Sequence, residues 1–257
     1  MSNSQLSLSY AIRPKVIAKY FGQLLMVQAV LVLAPIMVAF AYGEYHIALR
    51  YIVIFFVILL LSLPTIRLQT PEHIQTNEAL VLVALAFVAS PLLMLYPMSS
   101  AGLSILDTLF EAISAVTTTG LTTIANIENK PQTFLFARAW MQWYGGLGIV
   151  VFSVALLMRH QLAARRLTES VGSNDLVTTA RTYARRMLIV YLAITLAGFI
   201  LLFTLTGDGF IALTHTFTSV STGGFSTYSN SLAGFENLAA AYAIIGLAVL
   251  GLSLIHI

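Results

Sequence analysis

The apolar residues of this chain gather into long blocks. Six of them run for roughly 17 to 25 residues, the length a helix needs to cross a bilayer: Leu24–Ala41, Ile47–Leu63, Ala79–Tyr96, Phe134–Met158, Met187–Leu205 and Leu238–Ile257. Two more, Leu106–Val116 and Phe210–Val220, hold about 11 residues each, roughly 16 Å of helix or half of a bilayer core. Each short block runs into Thr, Ser and Gly, whose irregular backbone hydrocarbon cannot accommodate because it offers the amides no partner. The pattern predicts an all-α polytopic membrane protein in which two half-length helices, each followed by a re-entrant loop, are enclosed in protein and line a polar cavity.

Composition agrees with this. Of 257 residues, 58% are hydrophobic and 9% charged, whereas a soluble domain carries about a quarter of its residues as charges. The absence of cysteine excludes a disulfide scaffold and thiolate metal sites. Nothing at the N-terminus reads as a cleavable signal. A net charge of +3 in a soluble chain would suggest nucleic acid, but here no nucleic-acid partner is expected and the basic residues are tested as topology signals. If both short segments enter and leave on one side, Arg13, Lys15, Lys19, Arg67, Arg159, Arg165, Arg166, Arg181, Arg185 and Arg186 fall on one face, and Arg50, Lys130 and Arg138 on the other. Ten against three is a positive-inside asymmetry. It places the N-terminus and the end of the chain as given in the cytoplasm and opens both loops to the outer face. The Arg159–Arg186 stretch then serves orientation first and anionic membrane lipid second.

The unusual segments repeat. Laying Val116–Thr123 over Val220–Thr227 gives a constant offset of 104 residues. Val, Thr, Gly and Thr coincide, and Ser replaces Thr at two further positions. The surroundings repeat as well: a span, a half-helix, the loop, a second span. A half-helix entering from outside aims its partly negative C-terminal end at the membrane centre, which favours a cation. The Thr-Thr-Thr-Gly backbone can then present carbonyl and hydroxyl oxygens in place of an ion's water shell. Gly120 and Gly224 suit such a loop because carbonyls facing one axis require backbone angles that a Cβ resists.

Other residues read more simply. Asp107 and Asp208 lie at the half-helix N-termini, where a carboxylate caps the backbone and complements the dipole. Glu111 is an acid on a half-helix inside the membrane, a position that is functional by default; a structural pairing with Arg138 is favoured because its counterpart in the second repeat is His215. Gly145-Gly146-Leu147-Gly148 lacks the preceding strand and spacing of a nucleotide-binding loop and is expected to let helices approach closely behind the loop. The five histidines are scattered and no Gly-x-Ser-x-Gly is present, so neither an enzyme nor a transition-metal site is expected.

Leu109-Phe110-Glu111-Ala112-Ile113-Ser114-Ala115-Val116-Thr117-Thr118-Thr119-Gly120-Leu121, followed by Arg138-Ala139-Trp140-Met141-Gln142-Trp143-Tyr144-Gly145-Gly146-Leu147-Gly148-Ile149, resembles the first pore repeat and following helix of the Trk/Ktr/HKT potassium transporter family. Ser219-Val220-Ser221-Thr222-Gly223-Gly224-Phe225-Ser226-Thr227 resembles the second repeat, and the leading pair Leu24–Leu63 is similar to the extra N-terminal helices of its TrkH branch. The resemblance implies helix, pore-loop, helix repeats of potassium-channel type, four per subunit, around one potassium pathway in the bacterial inner (plasma) membrane. It implies segments 1–20 as cytoplasmic N-terminus, 21–64 as N-terminal helix pair, 79–158 as first repeat, 159–186 as basic cytoplasmic linker and 187–257 as second repeat. Four repeats spaced by 104 residues need a chain nearly twice as long, so this one is expected to be a fragment carrying two. The other half is expected to hold the third and fourth loops and the gating arginine, and Leu252–Ile257 departs from the small-residue pattern before it.

By the same resemblance, Thr118, Thr119, Gly120 and Leu121 with Thr222, Gly223, Gly224 and Phe225 form an ion-binding filter, with potassium as substrate at its carbonyls and no cofactor. Plant relatives with Ser at the first filter glycine carry sodium and those with Gly carry potassium, so Gly120 and Gly224 point to potassium. One glycine per loop, where potassium channels have two, implies weaker rejection of sodium, and Gly223 in place of Thr119 is expected to loosen the second loop. Implied partners are membrane lipid, a second copy of the full-length protein in a homodimer, and a cytosolic TrkA-like nucleotide-binding regulatory ring. The alternative is a multi-pass secondary transporter of another cation or solute, such as a sodium-permeable symporter, but such folds use inverted repeats and these two run in the same order.

Overall fold

A computed structural model describes residues 12–71, 74–165 and 173–256, with side chains described except at 76, 150–181, 183 and 254–256. Among the described residues it contains eight α-helices and no strand: α1 Pro14–Ala41, α2 Tyr45–Ile66, α3 Thr76–Met98, α4 Ile105–Val116, α5 Gln132–Arg165, α6 Ser173–Thr206, α7 Gly209–Val220 and α8 Leu238–His256. Every apolar block read from the sequence lies within one of them, apart from the final Ile257, which falls outside the described residues. The short blocks become helices of 12 residues each, about 18 Å long.

Among the described residues, four helices are long and apolar enough to cross a membrane, each holding one of the six expected spans: Pro14–Ala41, Tyr45–Ile66, Asn77–Ala101 and Ala184–Thr206. In α8 the apolar stretch runs over Leu238–Ser253, as far as its side chains are described. The remaining expected span, Phe134–Met158, lies in α5, and from residue 150 its side chains are outside the described set, as is much of the basic stretch 159–186.

The chain forms two compact units, one running to Ile113 and taking in Pro131–Phe134, the other made of Ser114–Lys130 and the chain from Leu135 onward. In the first unit, α1 and α2 form a hairpin closed by Gly43, whose left-handed φ of 72° lets Glu44 N–H reach back to Ala39 O at 2.8 Å. Gly22 allows the two helices to close up, since a Cβ there would run into the Thr65 hydroxyl. One stripe of α1 is buried, including Leu25, Ala29, Val32, Pro35 and Ala39. Leu24, Val27, Val30 and Met37 point outward and stay exposed. Large apolar side chains on the outside are what a hydrocarbon solvent requires.

The ends of these helices are tied by polar contacts. Glu78, fully buried at the start of α3, takes Arg13 Nε and Nη2 at 2.8 Å each and the Gln75 N–H at 2.9 Å. The α1 and α3 N-termini therefore lie at one end of the unit. At the other end Arg50 of α2 donates to Tyr96 O and to Ser99 Oγ, and Glu44 accepts from Gln132 N and Thr133 N at 2.9 and 3.0 Å, placing a carboxylate on the first turn of α5.

In the second unit α7 is enclosed. All residues from Thr214 to Val220 are buried, and the hydroxyls among them are satisfied within the helix: Thr214 by Phe210 O, Thr216 by Ala212 O and Ser219 by His215 O, at 2.6 to 2.8 Å. A core of Leu202, Ala212, Phe235, Ala240, Ile244 and Leu247 joins α6, α7 and α8. Such a polar, buried half-length helix is the protein-enclosed segment that the sequence pattern requires.

The bidentate Arg13–Glu78 pair is testable by a double-mutant cycle. Arg13→Ala and Glu78→Ala should each lower the melting temperature in detergent, and the double variant should lose no more than the worse single variant. Fully additive losses would show that the two residues act separately.

Candidate functional site: two glycine loops on half-length helices

The loops after α4 and α7 are built alike along the backbone, at the offset of 104. Thr118 and Thr222 both have φ 55°, and Gly120 and Gly224 have φ 76° and 80°. A β-branched residue in the left-handed region is strained, and here the same backbone contacts hold both. Thr118 N–H donates to Ala115 O at 3.0 Å, and Thr222 N–H to Ser219 O at 2.9 Å. Thr119 and Gly223 donate to Ser114 O and Thr218 O at 2.9 and 2.7 Å, and Gly120 and Gly224 reach the same two carbonyls at 3.4 Å. These contacts collect the last carbonyls of each half-helix, which have no partner within it. Downstream, Ile124 N–H bonds Thr122 Oγ1 at 3.1 Å and Tyr228 N–H bonds Ser226 Oγ at 3.0 Å, again in register.

The two loops meet. A Cβ on Gly120 would collide with the carbonyl oxygen of Gly223 and lie 3.5 Å from the Cα of Gly224. Gly120 is thus excluded from bearing a side chain by space as well as by its φ, whereas Gly224 has open space around it and is restricted by φ alone. Farther out, the loops are joined by Ser229: its N–H donates to Glu128 Oε1 at 2.6 Å, its hydroxyl donates to Glu128 Oε2, and its Oγ accepts from Ile127 N–H at 3.1 Å. The Ser229 hydroxyl, and after it the Ser229 N–H, hold the Glu128 carboxyl below the usual carboxylate range.

The eight expected filter residues differ in surroundings. Thr119 and Leu121 face outward, Leu121 being 63% exposed, while Gly223 and Phe225 are buried. The Leu121 carbonyl accepts from the Ser114 hydroxyl at 2.6 Å and the Gly223 carbonyl from Gln142 Nε2 at 2.8 Å. Each of these oxygens retains a second lone pair. Phe225 is pinned twice, by Gln142 Oε1 on its N–H at 3.2 Å and by the Arg138 guanidinium 3.8 Å from its ring centroid. The expected loosening of the second loop is therefore not what the structure has: the space vacated by a side chain at Gly223 is filled by Gln142, and a Cβ would lie 2.7 Å from Gln142 Nε2.

Helix α5 backs both loops. Gly145 lies against the carbonyl of Val116 at the end of α4, so that a Cβ would collide with it; Gly251 in α8 stands in the same relation to Val220 at the end of α7. Gly146 faces Ser221 and Tyr191, with a Cβ 2.8 Å from Ser221 Cβ. Stacked Trp140 and Trp143, 4.9 Å apart, pack with Phe217. Trp143 Nε1 donates to Thr195 Oγ1 at 3.0 Å and Tyr191 OH to Trp143 O at 2.9 Å, fixing α5 to α6.

Of the two carboxylates expected to cap the half-helices, Asp208 does so directly, whereas Asp107 lies in the first turn and is held by Ser104. Asp208 accepts from Phe210 N and Ile211 N at 2.8 and 3.0 Å. At α4 the cap is Ser104, whose Oγ takes the Asp107 N–H at 3.0 Å and donates to Asp107 Oδ2 at 2.6 Å. Glu111 and Arg138 are both buried. His215, the counterpart of Glu111, bonds Ile211 O at 2.9 Å and Ser226 Oγ at 3.2 Å and stands edge-on to Phe235, so it ties α7 to the segment after the loop.

A half-helix and glycine loop repeated in a chain of long apolar helices marks a membrane protein with an internal duplication. The chain belongs to the TrkH cation transport protein family, whose model matches residues 46–252. It is 28% identical over 235 residues to the Trk system potassium uptake protein TrkH of Vibrio parahaemolyticus, covering 87% of this chain and 48% of that one. With the TrkH of Escherichia coli K12 it shares 33% identity over 143 residues, 54% of this chain and 30% of the other. An uncharacterized cation transporter of Methanocaldococcus jannaschii is 32% identical over 80% of this chain and 44% of its own. The crystal structure of the potassium transporter TrkH from V. parahaemolyticus superposes with a TM-score of 0.75 at 27% identity, over 94% of this chain and 49% of that one. The chain spans about half the length of the V. parahaemolyticus relative.

Two outcomes follow from this packing. Gly145→Ala and Gly146→Ala should each destabilise the protein by about 1–3 kcal/mol, the usual cost of overpacking, while Gly148→Ala, which meets open space, should stabilise it by up to about 1 kcal/mol, the helix preference of Ala over Gly; thermal unfolding in detergent separates them. Glu128 has a folded pKa below its unfolded value of about 4.3, so its contribution is present above that value and lost as pH falls through the folded one. Wild type should melt higher than Glu128→Gln at neutral pH, and the two curves should converge in acid. A gap that persists undiminished in acid would mean that the Glu128 charge is not responsible.

Proposed function

We propose that this chain supplies two of the pore loops through which its protein takes up potassium across the bacterial inner membrane. In this reading Thr118, Thr119, Gly120 and Leu121 form one strand of the filter, and Thr222, Gly223, Gly224 and Phe225 a second. The observation that carries it is the pair of loops identical in backbone, each with a strained Thr and a left-handed Gly, meeting at Gly120 and Gly223. The buried ends of α4 and α7 add the partly negative poles of two helices at the base of the loops, which lowers the cost of stripping water from a cation.

The half-length match to its relatives leaves room for two further repeats, so the active unit in this proposal is the full-length protein. Relatives named as parts of a Trk system support a membrane subunit that works within such a system; the cytosolic TrkA-like ring and the homodimer of the full-length protein are what the family resemblance implies. The ten-to-three distribution of basic residues supports a cytoplasmic N-terminus. Potassium then enters down the membrane potential, worth about 2.3 kcal/mol per charge per 100 mV.

Complementation of a potassium-uptake-deficient bacterium by the full-length protein tests this reading. Gly120→Ser, which must displace the Gly223 carbonyl, should cut potassium uptake about tenfold or more, the effect of a 1.4 kcal/mol penalty, and raise the sodium share of the flux. Gly224→Ser, strained only by its φ, should do so less. Gly43→Ser, with similar strain in the α1–α2 turn, should leave the ratio unchanged. If Gly120→Ser alters neither potassium nor sodium uptake, these loops are not the filter.

A further inference from the structure

Gln142 stands on the helix that follows the first loop, yet its side chain completes the second. It is fully buried, and both ends of its amide are used there: Nε2 donates to Gly223 O at 2.8 Å and Oε1 accepts from Phe225 N–H at 3.2 Å. The pairing of one donor and one acceptor fixes which way the amide points. Gly224, the left-handed residue, is bracketed by these two contacts. We propose that Gln142 is the positioning residue of the second filter strand and that its amide sets the ion selectivity of that strand.

The two repeats explain why such a residue is needed. In the first, the half-helix holds its own loop, because the Ser114 hydroxyl donates to Leu121 O at 2.6 Å. The counterpart of Ser114 is Thr218, and its hydroxyl is turned back to His215 O at 3.2 Å. Phe225, the counterpart of Leu121, therefore receives nothing from that hydroxyl. Gln142 takes over from the neighbouring repeat, and Arg138, one turn earlier on α5, adds its guanidinium on the Phe225 ring. Gly223 is glycine where the first loop has Thr119 because the Gln142 amide occupies the space of its Cβ. One substitution in the repeat is thus matched to one side chain on α5.

The inference rests on the filter reading, and the measurement distinguishes the two. In the full-length protein, Gln142→Met keeps the volume and removes both hydrogen bonds. Two bonds of ordinary strength imply about a tenfold rise in the sodium-to-potassium flux ratio. The swap Gln142→Ala with Gly223→Ala removes the clash that a Cβ at 223 would make with the amide, and also lacks the two bonds; it should reach the membrane where Gly223→Ala alone accumulates poorly, and its flux ratio should stay raised. The swap carries the test if Gln142→Met does not accumulate. A wild-type ratio in either Gln142→Met or the swap overturns the proposal, because both lack the two hydrogen bonds of the amide. An unchanged ratio in Gly120→Ser at the same time overturns the filter reading itself.

Discussion

A helix that stops inside a protein leaves its last carbonyls without partners, and a chain that is apolar on its outside has little water to lend them. The ends of α4 and α7 pose this problem twice, and the surrounding structure answers it twice. The loop backbone folds over the end, Ser114 O and Thr218 O each taking two N–H groups. A glycine on the following helix comes close enough to cover Val116 O and Val220 O. Both responses need residues without a Cβ, and both leave the outer parts of the loop free for other chemistry.

Helix α5 is the shared wall on which this depends. Along one strip it presents Arg138 and Gln142 to the second loop, Gly145 to the end of the first half-helix and Gly146 to the cap of the second. The aromatic stack of Trp140, Trp143 and Phe217, together with the Trp143, Thr195 and Tyr191 hydrogen bonds, sets how closely that strip approaches. Shape and hydrogen bonding therefore act on the same atoms. Displacing α5 would disturb both loops at once.

Much of the architecture was legible in the sequence because hydrocarbon imposes simple rules. Block length separated spans from half-helices, and the 104-residue offset located the loops and their two glycines. The close-packing role of Gly145 and Gly146 was readable because neither a strand nor the right spacing supported nucleotide binding. What the sequence did not disclose were the contacts that pair residues far apart: Gln142 with Gly223, Ser229 with Glu128, His215 with Ser226. A lone Gln in a span carries no periodic signal. The one available hint was the Thr119 to Gly223 exchange, and by itself it reads as lost contact. Only the position of Gln142 turns it into a fitted pair.

The glycines on α5 and α8 sit 106 residues apart, while the loops they cover sit 104 apart. The extra two residues fall between Gly224 and α8, in the stretch that carries the short 3-10 turn Ser231–Gly234. Duplicated units that diverge by insertion must put the added length somewhere, and here it falls after the last contact the two repeats share in register, Ile124 to Thr122 and Tyr228 to Ser226. The register from half-helix to glycine is thus insulated from changes in linker length, and the outer segment can drift, lengthen or acquire new features without resetting the geometry beneath it.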